Sequence, residues 1–320
     1  MDNLLFAPFS TGSTSMGQYY SICAIGIACI VAGLVLITLS IVQKTSVPAS
    51  ALQLRKRSRN QRSELSEKKP ICRAASLMGD RKYQQDYTLY FDATSENVPP
   101  QGVLAVVCDG MGGMNGGEQA SRLCAETLFH GFYQFGPTRD VCALLRSLVQ
   151  EADQAVALLT TPDGKLLQGG TTVVAAVIRD SRAYWASAGD SRIYLFSKGQ
   201  LHRLTRDHNY RLRLMEEYEA GRMTMEQVEN EPQKEALISF VGKGSISLID
   251  TGEIPYSAAE GDVLVLCSDG VYKTMSDNDI LSVIQACGEN KEEMALQIAR
   301  TAVSRGNVKH DNTTALTISA

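Results

Sequence analysis

The longest apolar stretch of the chain lies near its N-terminus. No Asp, Glu, Lys or Arg occurs between residues 3 and 43, and residues 20–42 are mostly Ile, Val, Ala, Leu and Gly. A helix of this length reaches about 34 Å, which exceeds the roughly 30 Å hydrocarbon core of a bilayer. The pattern predicts a transmembrane helix over residues 20–42, preceded by a short extracytoplasmic N-terminus, residues 1–19.

Basic residues follow the apolar stretch and predict its orientation. Residues 44–69 carry eight basic and two acidic side chains. Because Lys and Arg remain on the cytoplasmic side of a membrane, we expect a single-pass protein of the cell membrane with everything after residue 43 in the cytoplasm. Residues 43–69 lack apolar periodicity and are predicted to form a flexible linker. Its basic cluster is either a plain stop-transfer signal or a contact with anionic lipid headgroups.

A cleaved signal peptide and a buried core helix stay open as alternatives for the apolar stretch. The sequence Ala49-Ser50-Ala51 has the small-x-small form of a signal-peptide cleavage site. The segment nevertheless lacks a basic region ahead of it, and its apolar stretch exceeds that of ordinary signal peptides. A buried core helix rarely runs for this length without one charged residue on a polar face.

After residue 70, short apolar runs alternate with amphipathic stretches. Runs of Val, Ile and Leu bounded by Gly or Asp predict strands over Gly102–Cys108, Thr171–Ile178, Ala183–Ala188, Arg192–Phe196, Asp262–Cys267 and Thr313–Ile318. Apolar residues three and four apart predict helices over Glu118–Phe132, Asp140–Leu158, Asn278–Ala286 and Lys291–Ser304. Strands that arrive in adjacent pairs favour antiparallel pairing, so we predict an α+β domain over residues 70–320.

Charge and cysteine content exclude several functions. The chain has 320 residues and a net charge of −4, of which residues 70–320 carry −9. An acidic body argues against nucleic acid as a partner. The eight Cys include no Cys-x-x-Cys pair, and no Cys is followed six residues later by Arg, so the phosphate-binding loop of cysteine-dependent phosphatases is absent. Neither a Walker A motif nor His-Glu-x-x-His occurs.

Five aspartates are predicted to stand where apolar strands run out into loops: Asp86, Asp109, Asp190, Asp269 and Asp311. A carboxylate at a strand end is rigidly placed, which suits metal coordination. Hard oxygen donors select Mg²⁺ or Mn²⁺ over zinc. Each aspartate taken singly also fits a turn, because Asp-Gly is a common turn pair. The aspartates alone therefore indicate a metal site without specifying a reaction.

Seven motifs give this pattern a specific meaning. In chain order they are RKYQQD, VCDGMGG, GGTTV, AGDSRIY, LTRDHN, LCSDG and HDNTT. Together they resemble the motif series of the protein phosphatase 2C (PPM) family in its bacterial form, over about residues 70–320. The resemblance implies a four-layer α-β-β-α sandwich of two antiparallel sheets flanked by helices, here preceded by one transmembrane helix. It also implies a metal-dependent protein serine/threonine phosphatase that hydrolyses phosphoserine and phosphothreonine with a metal-activated water and no covalent intermediate.

The resemblance assigns metal-binding roles residue by residue. Asp109 resembles the carboxylate that bridges two Mn²⁺ or Mg²⁺ ions, and the Gly110 carbonyl matches a ligand of one of them. Asp269 and Asp311 match the remaining ligands of the second ion. Asp190 resembles the carboxylate of a weaker third ion.

Catalytic roles come from the first motif. Arg81 matches the arginine that grips the substrate phosphate through a planar fork, and Asp86 is expected near the ions, through metal-bound water. Three positions depart from the family pattern: Gln84 replaces an Asn, Asn209 replaces a Ser, and Met111 stands where animal members carry a His proposed as general acid. The identity of the general acid therefore stays open.

The expected function is that of a membrane-anchored phosphatase acting on phosphorylated proteins, with a cognate Ser/Thr kinase as the partner that the family implies. Two alternatives stay open: a catalytically silent, membrane-tethered adaptor, and a metal hydrolase of small phosphomonoesters. Residues 207–243 resemble the mobile flap beside the active site of the family. Three glutamates there, Glu216, Glu217 and Glu219, form either a solvated helical face or a substrate-selecting surface.

Overall fold

Two antiparallel sheets form the centre of the structure, a computed structural model in which the described residues are 70–91, 98–113, 116–257, 261–288, 290–306 and 309–319. The strands are β1 (Ile71–Leu77), β2 (Asp86–Tyr90), β3 (Val103–Gly112), β4 (Gly169–Thr171), β5 (Val173–Arg179), β6 (Arg182–Ala188), β7 (Arg192–Ser197), β8 (Gln200–Arg203), β9 (Asp250–Pro255), β10 (Val263–Cys267) and β11 (Thr313–Ser319). One sheet has the order β1-β11-β10-β7-β8. The other has the order β2-β3-β5-β6-β9, with β4 beside β3.

Helices cover the outer face of each sheet. They are α1 (Gly116–Phe135), α2 (Val141–Ala157), α3 (Tyr210–Glu219), α4 (Met225–Asn230), α5 (Asp269–Tyr272), α6 (Asp277–Cys287) and α7 (Met294–Arg305). Helices α1 and α2 share one apolar cluster with the sheet that contains β3 and β5. Helices α5, α6 and α7 share another with the sheet that contains β10 and β11. The layer order is therefore helix, sheet, sheet, helix.

Strand β3 shows why its sequence is apolar at every position from Val103 to Cys108. Leu104, Val106 and Cys108 face the helix layer, while Val103, Ala105 and Val107 face the other sheet. Successive side chains of a strand point to opposite faces, so a strand covered on both sides must be apolar at each residue. Strand β3 therefore lies between the helix layer and the other sheet.

The predicted architecture of residues 70–320 is confirmed. Each predicted strand and helix of the domain occurs, and all strand pairings are antiparallel. Cys108 and Cys267 are fully buried core residues, and the six described cysteines are free thiols. In the flap region, Leu214 is the buried residue of α3. This burial fits the first alternative for the three glutamates of this helix, a solvated helical face.

Three details of the sequence prediction are wrong. Asp109 does not end its strand, because β3 continues to Gly112, where the glycines pair with β4. The predicted single strand over Thr171–Ile178 is interrupted at Thr172, whose N–H bonds to the Asp109 carbonyl instead. Asp269 does not lead into a loop, since it opens the short helix α5.

The membrane-related predictions concern the N-terminal part of the chain. The chain divides into two units, Met1–Glu64 and Leu65–Ala320, and the described residues all belong to the second. The predicted transmembrane helix over 20–42 and the linker over 43–69 lie outside the described residues. Within the described ranges, no helix combines the length and apolar character that crossing a bilayer requires.

Candidate metal centre

Asp86 and Asp109 face each other across the β2–β3 pair. They are directly opposed in the register of these antiparallel strands, and opposed residues project to the same side of a sheet. Asp86 is 5% exposed, and its Oδ2 accepts a hydrogen bond from the Ser268 hydroxyl over 2.8 Å. Its Oδ1 is buried and has no hydrogen-bond partner among the described residues. A buried carboxylate oxygen without a donor is costly, so this atom is suited to face a cation.

The break between β4 and β5 holds the backbone of Asp109. Thr172, at this break, accepts a hydrogen bond from the Asp109 N–H over 3.1 Å and donates its own N–H to the Asp109 carbonyl over 2.9 Å. The Thr172 hydroxyl also lies 2.6 Å from the Ser191 hydroxyl, and both residues are buried. Gly110 must be glycine because a Cβ there would lie 2.2 Å from the Gly117 carbonyl oxygen. These contacts fix where β3 presents the Asp109 carboxylate.

The segment before β11 brings Asp311 next to Arg81. Nη2 of Arg81 donates to Oδ2 of Asp311 over 2.5 Å. The neighbouring Asn312 ties the two segments together through hydrogen bonds of 2.8–3.1 Å to backbone groups of Met78, Tyr83 and Gln85. The arginine of the first motif is therefore placed by a side chain of the last motif.

Helix α5 positions two further aspartates. Ser268 takes its N-cap position, and Asp269 lies in its first turn, where the helix dipole favours an acidic side chain. Lys273, four residues later, pairs with the Asp269 carboxylate. The same helix carries Tyr272, whose hydroxyl donates to Oδ2 of Asp190 over 3.1 Å. Helix α5 thus contains Asp269 and, through the Tyr272 hydroxyl, binds Asp190 in the β6–β7 connection.

Arg192 connects this part of the site to the start of the flap. Its guanidinium carbon lies 3.4 Å from the centroid of the Tyr272 ring, a cation–π contact. The same guanidinium donates from Nε and Nη2 to the two carboxylate oxygens of Asp207, over 2.9 and 2.7 Å. The motif AGDSRIY is thereby attached to the motif LTRDHN.

The aspartates raise one another's pKa values. Burial, together with the charges of Asp86, Asp269, Asp190 and Asp311, raises the pKa of Asp109 well above its ordinary value. Burial raises the pKa of Asp86 to about 7, with a smaller contribution from the charges of its neighbours. Burial and the charge of Asp269 raise the pKa of Asp190 to about 6. Carboxylates that disfavour each other's ionisation form a site of strong negative potential, which attracts divalent cations.

The donor set fits Mg²⁺ or Mn²⁺, because it consists of oxygen atoms. Among the described residues, no group of three or more His, Cys, Asp or Glu side chains is arranged so that it could hold a metal ion. Two of the carboxylates are engaged by cations of the chain, Asp269 by Lys273 and Asp311 by Arg81. A metal ion that replaced these partners would meet carboxylate oxygens and the unpartnered Oδ1 of Asp86.

The sequence-predicted residues meet in one region. The charges of Asp311, Asp269 and Asp109 all raise the pKa of Arg81, and the Asp109 carboxylate senses the other four aspartates. Their roles as metal or phosphate ligands stay predictions.

Sequence reasoning missed five residues that position the site: Thr172, Ser268, Tyr272, Lys273 and Asn312. Thr172, Ser268 and Asn312 lie inside the motifs GGTTV, LCSDG and HDNTT. Their place in these motifs was a signal from which a role in the site could have been predicted. Tyr272 and Lys273 stand three and four residues after Asp269, the spacing of contacts on a helix. Recognising α5 would have revealed them.

Comparisons with known proteins show which family and which fold this chain resembles. Residues 79–300 match the family model described as Protein phosphatase 2C. The chain is 28% identical over 218 residues to the serine/threonine phosphatase stp of Listeria welshimeri, an alignment that covers 67% of this chain and 83% of that protein. The crystal structure of the Mycobacterium tuberculosis serine/threonine phosphatase PstP/Ppp superimposes with a TM-score of 0.64 at 27% identity, covering 78% of this chain and 98% of that one. The PstP catalytic domain in complex with two manganese ions superimposes with a TM-score of 0.60, also at 27% identity, over 78% of this chain and 98% of that chain.

Proposed function

Since this chain belongs to the protein phosphatase 2C (PPM) family, in its bacterial form, we propose that it is a Mn²⁺- or Mg²⁺-dependent protein serine/threonine phosphatase. The observation that carries this proposal is the set of four aspartates whose charges act on Asp109, with the Arg81 guanidinium at its edge. Paired carboxylates with one phosphate-binding arginine suit the hydrolysis of a phosphomonoester.

Three aspartates and one carbonyl would hold two ions: Asp109, Gly110, Asp269 and Asp311. Asp190 would hold a weaker third. When bound, the ions supply Lewis acidity that lowers the pKa of a water molecule and neutralises charge on phosphoryl oxygens. Helix α5 and Asn312 keep these donors in place, because they fix the backbone on either side of the site.

Arg81 would orient the substrate. Its planar guanidinium can donate two parallel hydrogen bonds to phosphoryl oxygens, and its side chain is 56% exposed. To bind phosphate it exchanges Asp311 for the substrate, which leaves this carboxylate free for a cation. Positioning of this kind, with electrostatic stabilisation of the transferred group, accounts for most of phosphoryl-transfer catalysis.

The nearby thiols do not act as nucleophiles. Burial raises the pKa of Cys108, the residue before Asp109, well above its ordinary value. Burial also raises the pKa of Cys267, two residues before Asp269, to about 12. A thiol is nucleophilic as the thiolate, so at neutral pH these side chains form no phosphocysteine. Direct hydrolysis without a covalent intermediate is consistent with this chemistry.

A silent adaptor is the less favoured candidate. A chain that only recruits a partner would gain nothing from keeping Asp86, Asp109 and Asp190, because the raised pKa of each costs folding free energy at neutral pH. A hydrolase of small phosphomonoesters shares the metal chemistry and differs in its substrate.

Phosphate release separates these functions. The full-length chain in detergent is assayed with p-nitrophenyl phosphate and with phosphothreonine peptides, each with Mn²⁺ and with EDTA. A protein phosphatase releases phosphate from both substrates in Mn²⁺ and from neither in EDTA. Activity on p-nitrophenyl phosphate alone would indicate a small-molecule hydrolase, and inactivity with a Mn²⁺-induced rise in melting temperature would indicate the adaptor.

Membrane attachment is a separate part of the proposal, and it rests on the apolar residues 20–42 and the basic residues that follow. We infer a single helix with the phosphatase domain in the cytoplasm. Substituting Val31 and Leu34 together by Arg should move the full-length chain from the membrane to the soluble fraction, because a charge at the bilayer centre costs about 3 kcal/mol. Unchanged membrane association of this variant would contradict the transmembrane assignment.

A partner of the proposed enzyme is a phosphorylated protein, and the family context suggests a cognate Ser/Thr kinase. Such a kinase phosphorylates Ser and Thr hydroxyls, and this enzyme would hydrolyse the resulting phosphate esters. Dephosphorylation of an autophosphorylated kinase in vitro, compared between the wild type and Asp109→Asn, tests this step.

A further inference from the structure

A cavity of about 420 Å³ opens directly beside Arg81. Asp80, Arg81, Lys309 and His310 line it. Because Arg81 is also bound to Asp311, the cavity adjoins the candidate phosphate site. Neighbouring residues are spaced by about 3.5 Å in an extended chain, so residues close to a phosphorylated residue bound at Arg81 are within reach of this cavity.

Lys309 has an unusual backbone on the wall of this cavity. Its φ is +83°, in the left-handed region. The other non-glycine residues with positive φ in the described ranges are Asp180, Ser181 and Lys198. They occupy the two-residue turns between β5 and β6 and between β7 and β8, where tight hairpin geometry requires this conformation. Lys309 lies in no hairpin turn, so its strained conformation has another cause.

The cause is a set of hydrogen bonds from Asp80. Oδ2 of Asp80 accepts the backbone N–H groups of Lys309 and His310, over 3.1 and 2.8 Å. The Asp80 N–H donates in return to the His310 carbonyl over 2.9 Å. His310 is 7% exposed, and its Nε2 lies 2.7 Å from the Thr313 hydroxyl oxygen. Strained residues of this kind persist where the surroundings hold them, and they concentrate at functional sites.

The charges of the cavity leave the Lys309 ammonium available. Arg81 is paired with Asp311, and Asp80 is the carboxylate on the wall, with one oxygen occupied by two N–H groups. Among the ion pairs of the described residues, none involves Lys309, which is exposed. Lys309 thus adds a positively charged residue to the wall of the cavity that Arg81 also lines.

We propose that this cavity is a subsite for a second anionic group of the substrate, and that Lys309 binds this group. The group is a carboxylate or a second phosphate within about three residues of the phosphorylated residue. The inference rests on the proposed phosphatase function and adds a substrate preference to it. A neighbouring anion is attracted by Lys309, whereas a neighbouring cation is repelled by both Lys309 and Arg81.

A peptide panel tests the preference in the full-length chain with Mn²⁺. A single Glu is moved from three residues before to three residues after phosphothreonine in a neutral background, with Gln at the same positions for comparison and phosphoserine in a second set. At one or two adjacent positions, the ratio of kcat/KM for the Glu peptide to that for the Gln peptide should reach about five or more. The phosphoserine set shows whether a phosphate or a carboxylate is preferred.

Matched variants assign the preference to Lys309. Lys309→Ala should reduce the Glu-to-Gln ratio to about one, and Lys309→Arg should retain it. Lys198→Ala is the control, because Lys198 is an exposed lysine with the same left-handed backbone in the β7–β8 turn, and it should keep the wild-type ratio. A ratio near one in the wild type, or a preference that survives Lys309→Ala, overturns the proposal.

Two further measurements make the test independent of activity and folding. Lys309→Gly should melt at a higher temperature than Lys309→Ala, because glycine adopts positive φ without steric cost; equal melting temperatures would contradict the strain. If the chain releases no phosphate, the proposed function fails, and fluorescence anisotropy with the same phosphopeptides then decides the subsite. Tighter binding of the Glu peptide that depends on Lys309 supports it, and equal binding overturns it.

Discussion

Nη2 of Arg81 lies 2.5 Å from Oδ2 of Asp311, so the residue assigned to the substrate phosphate is paired with a residue assigned to a metal ion. The two side chains are 56% and 34% exposed, and a pair this open contributes little to stability. Under the proposed roles, substrate phosphate would compete with Asp311 for the guanidinium, and a metal ion would compete with Arg81 for the carboxylate. Binding of either one would then free the side chain that the other needs.

Two substitutions of Arg81 distinguish the contribution of its planar guanidinium from that of its charge. Arg81→Ala should lower kcat/KM for phosphothreonine peptides by about 10- to 100-fold, the value of one or two charge-assisted hydrogen bonds. Arg81→Lys should recover only part of this loss, because an ammonium is a point charge without a planar fork. Arg81→Ala should also lower the Mn²⁺ concentration for half-maximal activity, since Asp311 loses its competitor. Steady-state kinetics at varied Mn²⁺ measure both effects, and an unchanged kcat/KM in Arg81→Ala would contradict the assignment.

Removing the Asp109 charge should abolish activity without unfolding the domain. We expect Asp109→Asn to lower kcat/KM by about 100-fold or more, since outer residues of metal sites alone cost 10- to 100-fold. The metal-free variant should melt at or above the wild-type temperature, because one of the mutually repelling carboxylates is gone. Asp180→Asn is the control, since Asp180 is exposed and asparagine tolerates its φ of +52°. Activity of Asp109→Asn close to that of this control would exclude Asp109 as a ligand.

The metal-free protein should lose stability as the pH rises from about 4 to 6. Burial raises the pKa of Asp190 from 3.8 to about 6, so the folded state holds its proton longer than the unfolded state does. The stability from this group is fully present below pH 4 and is lost as the pH passes 6, on the order of 2–3 kcal/mol. In EDTA, this loss lowers the melting temperature by roughly 5 °C.

Asp190→Asn tests the origin of this pH dependence. Asparagine keeps an acceptor for the Tyr272 hydroxyl, which lies 3.1 Å from Asp190, but it does not titrate. The variant should show a shallower decrease in melting temperature between pH 4.5 and 7. The remaining slope is due to Asp86, whose pKa burial raises to about 7, and to Asp109, whose pKa burial raises well above its ordinary value. Equal slopes in both proteins would show that Asp190 is not desolvated in the folded state.

The sequence predicted the central strands and the outer helices because their burial pattern is local. Residues 103–108 are apolar at every position because both faces of β3 are covered. A run of six apolar residues is visible in the sequence without knowledge of the fold. Strands β8 (Gln200–Arg203) and β9 (Asp250–Pro255) were not predicted, because their residues are mostly polar and at least partly exposed. They form where a neighbour supplies hydrogen-bond partners, β7 for one and β6 for the other. The Lys198-Gly199 turn was a usable signal for β8.

The sequence predicted which aspartates belong to the site, but it did not predict which residues contact them. Motif letters identify Asp190 and Asp269, but they do not show that Tyr272, 82 positions after Asp190, donates to its carboxylate. Strand register likewise decides that Asp86 opposes Asp109, and register depends on the whole sheet. Long-range pairings of this kind are consequences of the folded topology, so single residues indicate their chemistry and not their partners.

Asp153 on α2 should be among the most important polar residues for stability. It is 1% exposed, and its two carboxylate oxygens accept three backbone N–H groups over 2.7–2.8 Å from Gly242, Lys243 and Ile246. Asp153→Ala leaves these three donors without an acceptor, and we expect a loss of about 3 kcal/mol or more in the free energy of unfolding. Asp140→Ala on the same helix removes an N-cap bond to one N–H and should cost only about 1 kcal/mol. Urea unfolding followed by circular dichroism compares the two variants, and equal losses would mean that residues 242–246, at the end of the flap, do not depend on Asp153.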